Sequence, residues 1–200
     1  MDLETAPLLN VGLLSDTHLP YRMQQLPSQV LDVFRGVDVI LHAGDVDQPG
    51  MLGPLRRIAP VHAVRGNIHF LDLSSGGISL PHLVELRLAG RRVLLTHGYL
   101  PSLAGLWFKG RDVALRLMGA SEKGYFNERI AGRLERLYPE TDIIVFGHTH
   151  RAYVRRIGDT LLVNPGAVSP TLREQPSVAR MRLGAGEPEV EIIPISSGSR

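Results

Sequence analysis

Apolar residues in this chain fall in short, nearly unbroken runs rather than alternating with polar ones. Leu8 to Leu14, Val37 to Leu41, Val61 to Val64 and Asp142 to Phe146 all read this way. A strand covered on both faces has this signature. Between the first runs, Pro27 to Phe34 predicts a helix with proline in its first turn. Met51 to Ile58 predicts a second helix. The order is βαβαβ, the pattern of a parallel sheet with helices packed on it.

The later part of the chain is richer in hairpins. Leu83 to Leu88 and Arg92 to Leu95 flank Ala89-Gly90 and predict an antiparallel pair. Tyr153 to Ile157 and Leu161 to Val163 flank Gly158-Asp159, and Val178 to Leu183 and Val190 to Pro194 flank a glycine-rich turn. Phe126, Ile130, Leu134 and Leu137 form a helical apolar stripe, with Asn127 suited to an N-cap and Pro139 to a stop. The stretch at about 99–126 is an insert that reads as a lid or as a dimer contact. It carries the only tryptophan, Trp107, beside Phe108, Lys109 and Arg111.

Composition narrows the class. The 200 residues, 44% of them hydrophobic, suit one domain spanning 1–200 with a sizeable core. The net charge is +2 and the arginines are scattered, so no basic arm for duplex nucleic acid is expected. There is no cysteine, which excludes disulfides and thiolate ligands and fits a cytoplasmic protein. The acidic start lacks the basic region of a signal peptide, and no apolar run reaches the ~18 residues of a membrane span.

Candidate chemistry gathers where the apolar runs end: Asp16-Thr17-His18, Gly44-Asp45, Gly66-Asn67, Thr96-His97-Gly98 and Gly147-His148-Thr149-His150. Open α/β sheets bind ligands at the carboxyl ends of their strands. In extended chain, residues i and i+2 point the same way, so the Asp16/His18 pair and the His148/His150 pair would each converge on one point. Seven donors, Asp16, His18, Asp45, Asn67, His97, His148 and His150, are too many for one zinc-type site with an open position. They suit two divalent ions if one carboxylate bridges, and Asp45 is the natural bridge. Two such ions against two aspartates leave positive charge that would acidify a bridging water and attract phosphate. Asp45 taken alone would also suit a helix N-cap.

The ordered set of five motifs resembles the calcineurin-like metallophosphoesterase family, over residues 8–168, and its small bacterial and archaeal phosphodiesterases in particular. The resemblance implies a four-layer α/β/β/α sandwich. It implies one ion held by Asp16, His18, Asp45 and His150, and another by Asp45, Asn67, His97 and His148. It favours Mn²⁺, with Fe, Ni or Zn also compatible with oxygen and imidazole donors. Asn164-Pro165-Gly166 resembles a further family loop.

The expected activity is hydrolysis of a phosphodiester or nucleotide by a metal-bridging hydroxide. Phosphomonoester or dinucleotide-polyphosphate hydrolysis on the same fold is an alternative. So is a non-catalytic protein-binding scaffold, the role of a retromer subunit of this fold. Asn67 counts as a catalytic residue as well as a ligand. Gly66-Asn67-Ile68-His69 departs from the family's Gly-Asn-Cys-Asp: Ile68 cannot donate a proton, and His69 is either the general acid or a loop histidine bonded to backbone. Arg65, Trp107 and Lys109 are candidate substrate contacts, with Trp107 stacking on a base or, on the alternative reading, joining a homodimer contact. His42 reads as structural or as support for a ligand.

Overall fold

Strand β1 (Leu9–Leu14) shows why its apolar run is continuous. Val11 and Leu13 face one core and Leu14 the other, and all three are fully buried. The computed structural model describes residues 6–20, 22–66, 80–98, 125–171 and 174–196. In the first sheet β1 pairs in parallel with β2 (Val39–His42), and β2 with β3 (Val61–Ala63). Strand β9 (Ser177–Leu183) adds antiparallel to β1, and β10 (Glu189–Pro194) to β9.

The second sheet has the order β4-β5-β6-β8-β7. Its β4 (Leu83–Leu88) and β5 (Arg91–Thr96) form the predicted hairpin, as do β7 (Tyr153–Ile157) and β8 (Thr160–Asn164). At the centre β5, β6 (Ile143–Val145) and β8 run parallel.

Side chains alternate between layers along every central strand, as a period of two requires. Val11, Leu13 and Leu41 meet Val93, Leu95, Val145 and Val163 between the sheets. Leu14 and Ile40 face outward onto Val30, Phe34, Leu52 and Leu55. Leu94, Ile144 and Leu162 face outward on the other side onto Ala131 and Leu134. The result is the α/β/β/α sandwich expected from the motifs. The covering helices are α1 (Ser28–Val33), α2 (Gly53–Arg56) and α3 (Tyr125–Leu137). No helix among the described residues is long and apolar enough to cross a membrane.

Two local expectations are corrected. Residues Met51 to Ile58 do not make one helix: a 3-10 turn (Pro49–Leu52) leads into the single turn of α2, in a stretch broken by Gly50, Gly53 and Pro54. Gln48, not Asp45, stands at the N-cap of that turn. Asn127 is not the N-cap of α3 either. The helix is already formed at Tyr125, and the Asn127 side chain is buried and turned toward the loop after β6.

Candidate metal centre

The described ends of β1, β2, β5 and β6 lie together, and the side chains they carry are buried although polar. Asp16, His18, Asp45 and His97 are each less than 5% exposed. Backbone bonds carry the strand pairing on into the loops: Asp16 N–H donates to Gly44 O at 2.9 Å and His18 N–H to Asp45 O at 3.0 Å. The loop after β8 closes over them, with Val168 N–H on Ser15 O at 3.0 Å and Ser169 N–H on Asp16 O at 3.1 Å.

The chain reaches this convergence by a route the extended-strand argument did not foresee. Asp16, His18, Asp45, His148 and His150 all have positive φ, between 49° and 75°. The left-handed region costs an L-residue ~1–2 kcal/mol, so the surrounding structure has to hold each one there. The two histidines of Gly147-His148-Thr149-His150 accordingly do not converge on a single point. His150 Nε2 lies 3.1 Å from Asp16 Oδ1, and its ring stands 5.6 Å from that of His18. His148 instead meets His97 edge-on, with ring centroids 5.2 Å apart.

One donor atom from each of Asp16, His18, Asp45 and His150 falls within 4.8 Å of the other three. Asp45 faces both ways. Its Oδ2 lies 3.4 Å from His18 Nε2 and 3.5 Å from His97 Nε2. Four of the seven expected donors thus form one tight group, and His97 with His148 forms a second that shares Asp45. Asn67, the seventh, lies outside the described residues, as do His69, Trp107, Phe108, Lys109 and Arg111. Arg65 is described: its Nε donates to His82 Nδ1 at 3.1 Å.

Hydrogen bonds aim the donors. Asp16 Oδ2 accepts the Ser15 hydroxyl at 2.5 Å and the His148 N–H at 3.2 Å, which leaves Oδ1 directed at His150 and His97. Burial alone would raise the Asp16 pKa. The imidazole of His150, 3.1 Å from Oδ1, and the charge of His97 outweigh it and hold the carboxyl below its ordinary value. His97 Nδ1 donates to Ala43 O at 2.7 Å, so Nε2 is the atom turned to the carboxylates. Burial would lower the His97 pKa, but Asp45, Asp16 and the Ala43 carbonyl push it up to about 9. His148 goes the other way, to about 4, because of burial and the neighbouring His97. Asp16 Oδ1 and His97 Nε2 are buried and have no hydrogen-bond partner among the described residues. Buried polar atoms are seldom left so, and such a pair marks a place for a ligand.

Some supporting residues were missed in the sequence. The Asp47 carboxylate, 5% exposed, stands 3.5 Å from His18 Nδ1, on the side of the ring away from Asp45. Its signal was available: it sits two residues past Asp45 in the same turn. Thr17 Oγ1 lies 3.1 Å from His42 Nε2 and 3.3 Å from Asp45 O. Because His42 Nδ1 accepts the Gly44 N–H at 3.2 Å, Nε2 carries the proton and donates to Thr17. Buried and held neutral, with its pKa pushed down to about 4, His42 ties the Asp16–His18 loop to the Asp45 loop. Its reading as a support rather than a ligand agrees with this geometry.

The profile of the calcineurin-like phosphoesterase superfamily domain matches residues 9–186, and the chain belongs to this family. A probable metallophosphoesterase of Methanothermobacter thermautotrophicus is 33% identical over 185 residues, covering 92% of this chain and 91% of that protein. Another, from Methanocaldococcus jannaschii, is 33% identical over 186 residues, covering 92% and 81%. Among solved structures, Vacuolar Protein Sorting 29 of Cryptosporidium parvum superposes with a TM-score of 0.68 at 22% identity, covering 96% of this chain and 94% of that one. Vps29 of Entamoeba histolytica, complexed with Zn²⁺, gives 0.62 at 18% identity, covering 96% and 95%. At these identities the structural likeness shows the fold. The chain is a metallophosphoesterase-type protein with a buried Asp/His group suited to metal.

Proposed function

We propose that this chain is a two-metal phosphoester hydrolase, and specifically a phosphodiesterase. The observation that carries the reading is the position of Asp45, whose one carboxylate oxygen faces His18 on one side and His97 on the other. Asp16, His18, Asp45 and His150 would hold one ion. Asp45, His97 and His148 would hold the other, with Asn67 as the remaining oxygen donor read from the sequence.

The donors fit such ions. Carboxylate and imidazole without thiolate suit first-row divalent metals, and the buried Asp16 Oδ1 and His97 Nε2 need a partner. When bound, two divalent ions supply charge neutralisation for a phosphoryl group and lower the pKa of water. The chain's own contribution is orientation. Ser15 and the His148 amide turn Asp16, Ala43 O turns His97, and burial keeps His148 neutral so that its ring nitrogen can act as an acceptor. Manganese is our assignment from the family resemblance. The zinc bound by the Entamoeba neighbour keeps Zn²⁺ as the second choice.

The diester assignment rests on the resemblance to the family's small phosphodiesterases; with Ile68 and His69 in place of the family's Cys-Asp, a diester with a good leaving group would need least help from a general acid. A protein-binding scaffold, the alternative suggested by the Vps29 neighbours, rests on fold likeness alone.

The test is direct. Protein stripped with chelator and reloaded with Mn²⁺ is assayed on an aryl phosphodiester and the matching monoester, with His150→Ala as control. We expect metal-dependent turnover favouring the diester, and a loss of at least ~100-fold in His150→Ala. No metal-dependent turnover of either ester would leave the scaffold reading. A clear preference for the monoester would reject the diesterase assignment.

A further inference from the structure

The loop bearing His148 and His150 holds two left-handed residues within three positions, at φ 75° and 62°. Something outside the loop has to hold that shape. Besides the Asp16 carboxylate on the His148 N–H, two buried asparagines do so, and one of them, Asn127, lies outside the five strand-end motifs.

The wiring is closed at both ends and in the middle. At the start of the loop, Asn164 Nδ2 donates to Gly147 O at 3.0 Å. At its end, Asn127 Nδ2 donates to Arg151 O at 3.1 Å. Between the histidines, the Thr149 hydroxyl donates to Asn127 Oδ1 at 2.6 Å and accepts from Asn164 Nδ2 at 3.0 Å. Asn164 Nδ2 also lies 3.3 Å from Asn127 Oδ1, and Gly166 N–H fixes the Asn164 amide by donating to its Oδ1 at 2.9 Å. Asn127 is 2% exposed and Asn164 fully buried, so breaking this set leaves polar atoms without water to replace the lost partner.

The position of Asn127 is informative in itself. It lies inside α3, where asparagine is a weak helix former. Its neighbours on the buried face, Ile130, Ala131 and Leu134, serve the outer core of the second sheet. Asn127 reaches past that core to the loop that carries His148 and His150.

We infer that Asn127 is a positioning residue for the metal centre, acting through the Thr149 hydroxyl to hold His148 and His150 at their separate stations. Helix α3 is then an arm of the site as well as a cover for the sheet. The inference rests on the reading of His148 and His150 as metal ligands.

The test is Mn²⁺ binding to the metal-stripped full chain by titration calorimetry, at a temperature well below the melting point of every variant. The variants are Asn127→Ala, Thr149→Val, Thr149→Ser and the double variant Asn127→Ala/Thr149→Val. We expect Asn127→Ala and Thr149→Val each to weaken Mn²⁺ binding ~10–100-fold, as losses of support behind a ligand do. Thr149→Ser, which keeps the hydroxyl, should stay within ~3-fold of wild type, and the double variant should bind no worse than the weaker single one. Wild-type affinity in Asn127→Ala and Thr149→Val, even with a lowered melting temperature, would overturn the inference by leaving the asparagine a purely structural role. Equal weakening in Thr149→Ser and Thr149→Val would also overturn it. If Asn127→Ala does not fold, the valine–serine pair at Thr149 decides. If wild-type protein binds no Mn²⁺, the reading of the metal centre fails first and takes this inference with it. Tight wild-type binding unchanged by the variants sinks the inference alone.

Discussion

Asp16 shows how one carboxylate is made into a directed donor. Both oxygens are buried, which by itself favours the neutral acid. Two hydrogen bonds saturate Oδ2, and the imidazoles beside Oδ1 keep the group charged. The small residues at the strand ends make this crowding sterically possible. A Cβ on Gly147 would collide with Ser15 Oγ, and one on Gly66 with Asp45 Oδ1 and the Asp45 backbone nitrogen. Gly66→Ala should therefore push Asp45 off the line between His18 and His97. The expected outcome is a loss of Mn²⁺ affinity of ~10-fold or more with ~1–3 kcal/mol of stability, as overpacking costs. Calorimetric titration beside a denaturant melt separates the two effects. Unchanged Mn²⁺ affinity would mean that Asp45 does not link two ions.

At the scale of elements, the strands were legible because both faces are covered. The unbroken runs at Leu8 to Leu14 and Asp142 to Phe146 leave little room for another reading, and their ends named the polar donors. What the sequence could not show is the conformation of those donors. The i, i+2 rule describes extended chain, whereas Asp16, His18, His148 and His150 sit in left-handed turns set by contacts distant in sequence. Asn127 was misread for the same reason. Asparagine near a helix start fits a cap locally, and its partners Thr149 and Arg151 lie more than twenty residues away. Packing between elements is similarly hidden. Gly12 on β1 gives Phe34, at the end of α1, a place to lie, since a Cβ there would come within 3.1 Å of the ring. Phe34→Ala should cost ~3–5 kcal/mol by opening a cavity under the helix. Gly12→Ala should cost less, ~1–2 kcal/mol, because the ring has to shift a few tenths of an ångström. Equilibrium urea unfolding ranks the two, and a larger loss for Gly12→Ala would contradict this packing.

For the molecule as a whole, the candidate metal centre is a concentration of buried charge, and its protons are linked to folding. In the metal-free protein His97 is raised from the ordinary 6.5 to about 9. Its folded form then holds a proton that the unfolded chain gives up near 6.5, so this stabilisation is complete below 6.5 and is lost as the pH rises to 9. His42 and His148 are depressed to about 4. Their contribution is complete above 6.5 and is lost as the pH falls toward 4, where the folded state would have to bury two imidazolium ions. Metal-free stability should therefore peak near pH 6.5 and fall on both sides, by on the order of 3 kcal/mol toward alkaline pH at ~1.4 kcal/mol per pKa unit. Metal ions held as proposed would compete with the His97 proton, so the extra stability from saturating Mn²⁺ should grow between pH 6.5 and 9 as that proton is released. Melts of chelator-treated and Mn²⁺-loaded protein across pH 4 to 9 check both curves. A metal-free curve that rises steadily through pH 9, or a stabilisation by Mn²⁺ that shrinks with rising pH, would mean that His97 does not carry the charge the geometry assigns to it.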